Sequence, residues 1–130
     1  MENFKLEIVT PEKIIFSKDV QMVTVPSYEG DMSILKNHIS IITFLRPGLI
    51  KVEKNDKDND IFFVEDGTVE NFGNNLVVLS ASVINKKDLS KDFLSNLTKD
   101  TESALEKKEI SDHDRYILNH KIDTLKTLRI

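Results

Sequence analysis

The chain has 130 residues, 39% of them hydrophobic, a formal net charge of -4 and no cysteine. That hydrophobic share suits a folded core and not a disordered chain. The missing thiols exclude disulfides, cysteine-ligated zinc and iron–sulfur clusters, and the acidic balance argues against a uniformly basic, phosphate-binding surface.

From Phe4 to Val83 the pattern has period two, which predicts strands with one buried face. Phe4, Leu6 and Ile8 alternate with polar residues, as do Val23 and Val25, and then Ile50 and Val52. Thr10-Pro11 ends the first strand. The segment PSYEGDMSILKNH (residues 26–38) supplies turn residues around Gly30. Pro47-Gly48 predicts the centre of a type II turn, with Gly48 at positive φ. Asp66-Gly67, between IFFVE and TVENF, predicts a hairpin. Gly73-Asn74-Asn75 predicts another turn. Many short strands at this spacing mean an antiparallel sandwich or barrel.

After Asn85 glycine and proline disappear. Leu89, Phe93, Leu97, Thr101, Ala104 and Leu105 recur at helical spacing beside Leu94, with Asp88 as the expected N-cap. A second helix is expected after Ser111, its N-cap, with Asp114 in the capping-box position. Its stripe is Ile117, Leu118, Ile122, Leu125 and Leu128. So short a link predicts an antiparallel helical hairpin. The expected division is a sandwich over 1–84 and a hairpin over 85–130, hinged around Ile84 to Asp88. No run reaches the roughly 20 apolar residues of a membrane span, and MENFKLEIVTPEK lacks the order of a signal peptide, so a cytoplasmic chain is expected.

Chemistry is sparse. Asp56, Asp58 and Asp60 alternate as in a calcium loop, but Ile61 stands where that loop needs glycine and Gly67 where it needs glutamate. A solvated hairpin tip is the better reading. His113 and His120 lie seven apart on one helix face, a spacing that favours a solvated surface over a metal pair. His38 has no evident nucleophile or acid beside it. No phosphate loop, dinucleotide fingerprint or hydrolase elbow is present, so neither an enzyme nor a metal or cofactor is expected. Arg115, Lys121, Lys126 and Arg129 form either a mixed solvated face or a basic strip toward an acidic partner. On residues alone, a β-sandwich adaptor with a partner-binding helical tail remains open.

The whole chain resembles the epsilon subunit of bacterial F-type ATP synthases (delta in mitochondria). FKLEIVTPEKIIFSKDV is similar to the family's opening. Glu29-Gly30-Asp31, Ile34-Leu35, His38, Ile41-Ile42-Thr43 and Arg46-Pro47-Gly48 fill the places of its most recognisable segment, in order and spacing. The two-helix tail follows where the family has it.

The resemblance implies a mainly β, α+β chain: a flattened antiparallel sandwich of about ten strands, then an antiparallel two-helix hairpin. It implies a non-catalytic rotor subunit at the foot of the central stalk, on the cytoplasmic face of the membrane, with no membrane insertion of its own and no nucleic-acid partner. The sandwich would bind the gamma subunit and the c ring, with Glu29, Gly30, Asp31 and His38 as docking candidates. The hairpin could open and climb toward the alpha/beta catalytic head, restraining ATP hydrolysis, with Arg115, Lys121, Lys126 and Arg129 meeting the head. Helices of about 20 residues would each span roughly 30 Å. Some family members bind ATP through an [I/L]-D-x-x-R-A signature. Here LSKDFL (residues 89–94) lacks the aspartate and the arginine, so no nucleotide site is expected. Ser33 and Asn37 stand where the family usually has glycine, and Lys36 where it often has proline.

Overall fold

A computed structural model describes residues 2–128. The ten strands are β1 (Phe4–Val9), β2 (Ile14–Val20), β3 (Met22–Ser27), β4 (Gly30–Ile34), β5 (Ile41–Leu45), β6 (Gly48–Glu53), β7 (Asn59–Val64), β8 (Gly67–Phe72), β9 (Asn75–Leu79) and β10 (Val83–Asn85). Helices α1 (Lys91–Leu105) and α2 (Asp112–Thr127) follow. The strands run β10-β7-β6-β3-β5-β8-β9-β1-β2, with β4 on the other edge of β3. All pairs are antiparallel except β1 with β9. The path folds into two layers because β3 turns the corner: residues 22–24 pair β6, and Ser27 alone bridges to Leu45 of β5.

The alternating residues point inward as their period requires. Leu6, Ile8, Val23, Val25, Ile50 and Val52 are all fully buried. With Phe16, Leu45, Phe62, Val64, Leu76 and Val78 they form one continuous core between the layers. Phe16 and Phe62 meet edge to face, ring centroids 5.9 Å apart, a favoured aromatic geometry.

Two turn expectations are corrected. Asp66-Gly67 is not a hairpin: β7 pairs with β6 and β10, whereas β8 pairs with β5 and β9. The dipeptide is the crossover between layers. Its glycine, at φ +137, is required because a Cβ there would fall onto the Leu79 carbonyl oxygen. Ser80 Oγ donates to Asp66 Oδ1 at 3.3 Å and pins the crossover from the other side. Pro47-Gly48 is likewise a corner and not a type II turn, and Gly48 is not among the positive-φ glycines. It is glycine because a Cβ would come within 2.5 Å of Pro26 Cβ. Gly73-Asn74, at φ 56 and 64, closes a two-residue hairpin between β8 and β9, with Phe72 facing Asn75. Both positive angles match the twist-compatible hairpin turn.

The first helix begins later than expected. Asn85 caps a single 3-10 turn over Lys86–Asp88, and Ser90, not Asp88, caps α1 by accepting from the Phe93 amide at 3.1 Å. Ser111 caps α2 through the Asp114 amide at 3.0 Å. The helices have 15 and 16 residues, or about 23 and 24 Å each, shorter than the expected 30 Å. Phe93 is 41% exposed and off the buried stripe, which runs through Leu94, Leu97 and Thr101. Leu94, Leu125 and Leu128, joined by Leu89, bury against Phe63. Leu49 and Ile84 pack against the same cluster. These three sheet residues are cross-strand neighbours on the outer side of β6, β7 and β10. The hairpin therefore roofs one layer, over a second hydrophobic cluster separate from the sandwich core.

Candidate functional site

Among the described residues, nothing roofs the other layer in this way. Directly opposed residues of paired strands share a sheet face. Ile42 faces Glu70, which faces Val77; Phe44 faces Thr68, which faces Leu79; Phe72 faces Asn75. On this outer side Ile42 is 74% exposed, Phe44 61%, Phe72 72% and Leu79 48%, and Ile39 at the entrance to β5 is 75% exposed. A contiguous set of large apolar side chains in water is unusual for a monomer and marks an interaction surface. Sequence reasoning missed it. The signal was the unbroken run ISIITFL, too apolar for a strand with one wet face.

The stretch around Gly30 is split by the fold. Glu29, exposed, and Gly30, at φ 129, form the tip of the β3–β4 hairpin, with Asp31 exposed at the start of β4. Ser27 Oγ closes this tip by donating to the Gly30 carbonyl at 2.6 Å. His38 lies beyond the far end of β4, a strand of five residues and so about 13 Å of rise. There Leu35–His38 makes a turn, the His38 amide donating to the Leu35 carbonyl at 3.2 Å. Asn37 takes φ 67, the left-handed conformation that asparagine tolerates better than most residues. It does there what a glycine would do. Its amide donates to Asn74 Oδ1 at 2.7 Å, and Asn74 Nδ2 donates back to Asn37 Oδ1 at 3.3 Å. Asn71 Nδ2 donates to the His38 and Ile39 carbonyls at 3.2 and 3.1 Å. The His38 turn is thereby fastened to the β8–β9 hairpin, beside exposed Ile39 and Phe72. The acidic tip lies instead beside α2.

At that tip the two helix histidines meet the sandwich, so His120 is not simply solvated. Tyr116 Oη donates to the Tyr28 carbonyl at 3.0 Å, and the two tyrosine rings stand perpendicular at 6.0 Å. His113 meets Tyr28 edge to face at 6.3 Å, and His120 meets Tyr116 at 4.5 Å. Arg46 Nη1 approaches Tyr116 Oη at 3.4 Å and His120 Nε2 at 3.5 Å. Burial, then the Arg46 charge, holds the His120 pKa below its usual 6.5, against an upward pull from Asp123.

The four basic candidates do not form one free strip. Arg115 is exposed, whereas Lys121 is half-buried and paired with Glu65 of the sandwich. Lys126 lines a cleft of about 480 Å³ between the helices, with Lys91, Ser95, Lys99 and Glu102. Arg129 lies outside the described residues. In the place of the ATP-binding signature, Ser90 is committed to capping α1. Asp60 of the aspartate-rich segment is buried and bridged by Lys54 at 3.0 Å, while residues 55–58 form the exposed hairpin tip.

The family described as "ATP synthase, Delta/Epsilon chain, beta-sandwich domain" matches residues 3–86. The chain belongs to the ATP synthase delta/epsilon family. It is similar to the ATP synthase epsilon chain of Pelagibacter ubique, 51% identical over 129 residues and covering 98% of each chain. It is also similar to that of Parvibaculum lavamentivorans, 35% identical over 98% of this chain and 96% of the other. Among solved structures, it shares its fold with a chain of the Euglena gracilis mitochondrial ATP synthase (TM-score 0.79, 16% identity, 96% of this chain and 80% of that one). A chain of the Tetrahymena thermophila mitochondrial ATP synthase central stalk and c ring gives a TM-score of 0.65 at 12% identity, covering 99% and 98%. Like the epsilon chains it matches, this family member is an accessory subunit and not a catalytic one, which sets the generic adaptor aside. No helix among the described residues is long and apolar enough to cross a membrane.

Proposed function

We propose that the chain is the central-stalk rotor subunit that ties the c ring to the gamma subunit at the cytoplasmic face of the membrane. The observation that supports this most is the contrast between the two outer sheet faces. The hairpin covers one, and the other leaves Ile39, Ile42, Phe44, Phe72 and Leu79 bare. We assign the bare face to gamma. Glu29, Gly30, Asp31 and His38 serve as rim contacts, where charge sets register more than affinity. The sandwich over 1–84 does the docking and the hairpin over 85–130 the regulation. No nucleotide or metal is assigned to either part.

The test is co-purification with cognate gamma and c ring. A double substitution, Ile42→Asp with Phe72→Asp, is expected to weaken gamma binding by about 100-fold or more, because central apolar anchors each carry about 2 kcal/mol. Thermal stability should hardly move, since both side chains are exposed. Full-strength association of this variant defeats the assignment, and failure of the folded wild-type chain to associate defeats the function.

For the hairpin, we infer a restraint on hydrolysis through the alpha/beta head, with Arg115, Lys121, Lys126 and Arg129 as the contacting cations. Lys121 must first leave Glu65. Its Coulomb gain beside a wet surface is modest, so this is a barrier a switch can cross. Truncation from Asp88 onward is expected to raise ATP hydrolysis of the assembled enzyme severalfold. Unchanged hydrolysis in a fully assembled complex rejects the inhibitory role.

A further inference from the structure

We propose that His120 is a proton-sensitive latch: its neutral ring fastens the N-terminal half of α2 to the sandwich, and its protonation releases that half.

The geometry is specific about charge state. A guanidinium has donors only. Arg46 Nη1 at 3.5 Å from His120 Nε2 is an attractive contact only if Nε2 presents its lone pair, which places the ring proton on Nδ1. A protonated ring turns Nε2 into a second donor and sets one cation against another. The ring has little freedom to avoid this, because Tyr116 packs against it at 4.5 Å while its own hydroxyl is tied to the Tyr28 carbonyl. The Arg46 backbone is held in the corner between β5 and β6 by its amide, which donates to the Pro26 carbonyl at 3.0 Å, and its guanidinium lies against both Tyr116 Oη and His120 Nε2.

The remaining charges around the ring come from three elements. Asp31 of β4, Lys51 of β6 and Asp123 of α2 line the same cleft as Arg46 and His120. Asp123 favours the charged ring, but burial and Arg46 outweigh it, and the docked ring holds its proton less tightly than a free one. A released helix returns the ring toward 6.5 and binds more protons than the docked one, so docking strengthens with rising pH. It is complete above about 6.5 and is lost as pH falls through the lower pKa of the docked ring. The C-terminal half of α2 has separate anchors in Leu125, Leu128 and the Lys121–Glu65 pair. The release is therefore local to the turns from Asp112 to His120.

This inference concerns the chain by itself and stands whether or not the rotor assignment does. It is tested on the isolated full chain, at 14.9 kDa within easy reach of solution NMR. His120 is expected to titrate below 6.5. Over the same range, amide-exchange protection of residues 115–120, corrected for intrinsic rates, should fall severalfold from about pH 7.5 to about pH 5, with β6 and β7 unchanged. His120→Gln should flatten that dependence, and His38→Gln should leave it intact. Arg46→Gln should move the His120 midpoint upward, a readout that survives if His120→Gln docks poorly. Protection of α2 that ignores pH, wild-type pH dependence in His120→Gln, or an unmoved midpoint in Arg46→Gln would each overturn the latch.

Discussion

Gly67→Val is expected to destabilise the chain by about 4 kcal/mol, a sum of backbone strain and overpacking that are each worth about 1–3 kcal/mol. The residue sits at φ +137, where an L side chain is strained in any space. It also has no space: the new Cβ falls onto the Leu79 carbonyl oxygen, with Ser80 Cβ at 3.1 Å. Relief would require moving β9, which pairs with both β8 and β1. Against a typical total stability of about 5–15 kcal/mol, such a loss leaves a marginal fold. Gly73→Ala is the control. Its φ of +56 carries strain, but nothing lies within 4 Å, so about 1 kcal/mol is expected. Urea unfolding of the two variants separates them, and equal losses would show that the crossover is not sterically locked.

The second large effect is expected at Leu125. It is 2% exposed and sits in the cluster with Phe63, Leu94 and Leu128 that joins the hairpin to β7. Leu125→Ala should cost about 3 kcal/mol in lost transfer energy and cavity. Because this cluster is separate from the sandwich core, the loss should fall on hairpin docking. Helical ellipticity should melt at lower temperature while the sheet core keeps its exchange protection. Ile42→Ala, on the bare face, should stay within about 0.5 kcal/mol of wild type. A loss below about 1 kcal/mol at Leu125 would mean that polar contacts at the β3–β4 tip hold the hairpin instead.

Much of this architecture is written in local pattern. Period-two alternation in FKLEIV and GLIKVE assigned both the strands and their buried sides, because a pleated strand sends neighbours to opposite faces. Ser111 capped as its type and position demand. The errors cluster where one dipeptide serves two geometries. Asp66-Gly67 and Pro47-Gly48 carry turn chemistry, but both glycines answer to a neighbour distant in sequence, Leu79 in one case and Pro26 in the other. No local rule contains that neighbour. Asp88 lost the cap to Ser90 for a related reason: a 3-10 turn over Lys86–Asp88 intervened before the helix could start.

The candidate surfaces divide the same way. The runs IFFVE and ISIITFL show by composition that two strands are apolar on both faces. Composition cannot say that the hairpin covers Phe63 while Ile42 stays bare, since that follows from which layer the helices pack on. Glu29 and His38, nine residues apart, read as one motif in the sequence, and a straight β4 sends them to opposite ends of the sandwich. Local pattern carries the strand and helix content, most of the sandwich core and the resemblance to the family. Which apolar face stays open, and that His120 meets Arg46, follow from the packing of the hairpin onto the sandwich. Those facts depend on contacts between segments far apart in the chain, 74 residues for Arg46 and His120, and pairwise contact of that kind leaves no periodic trace.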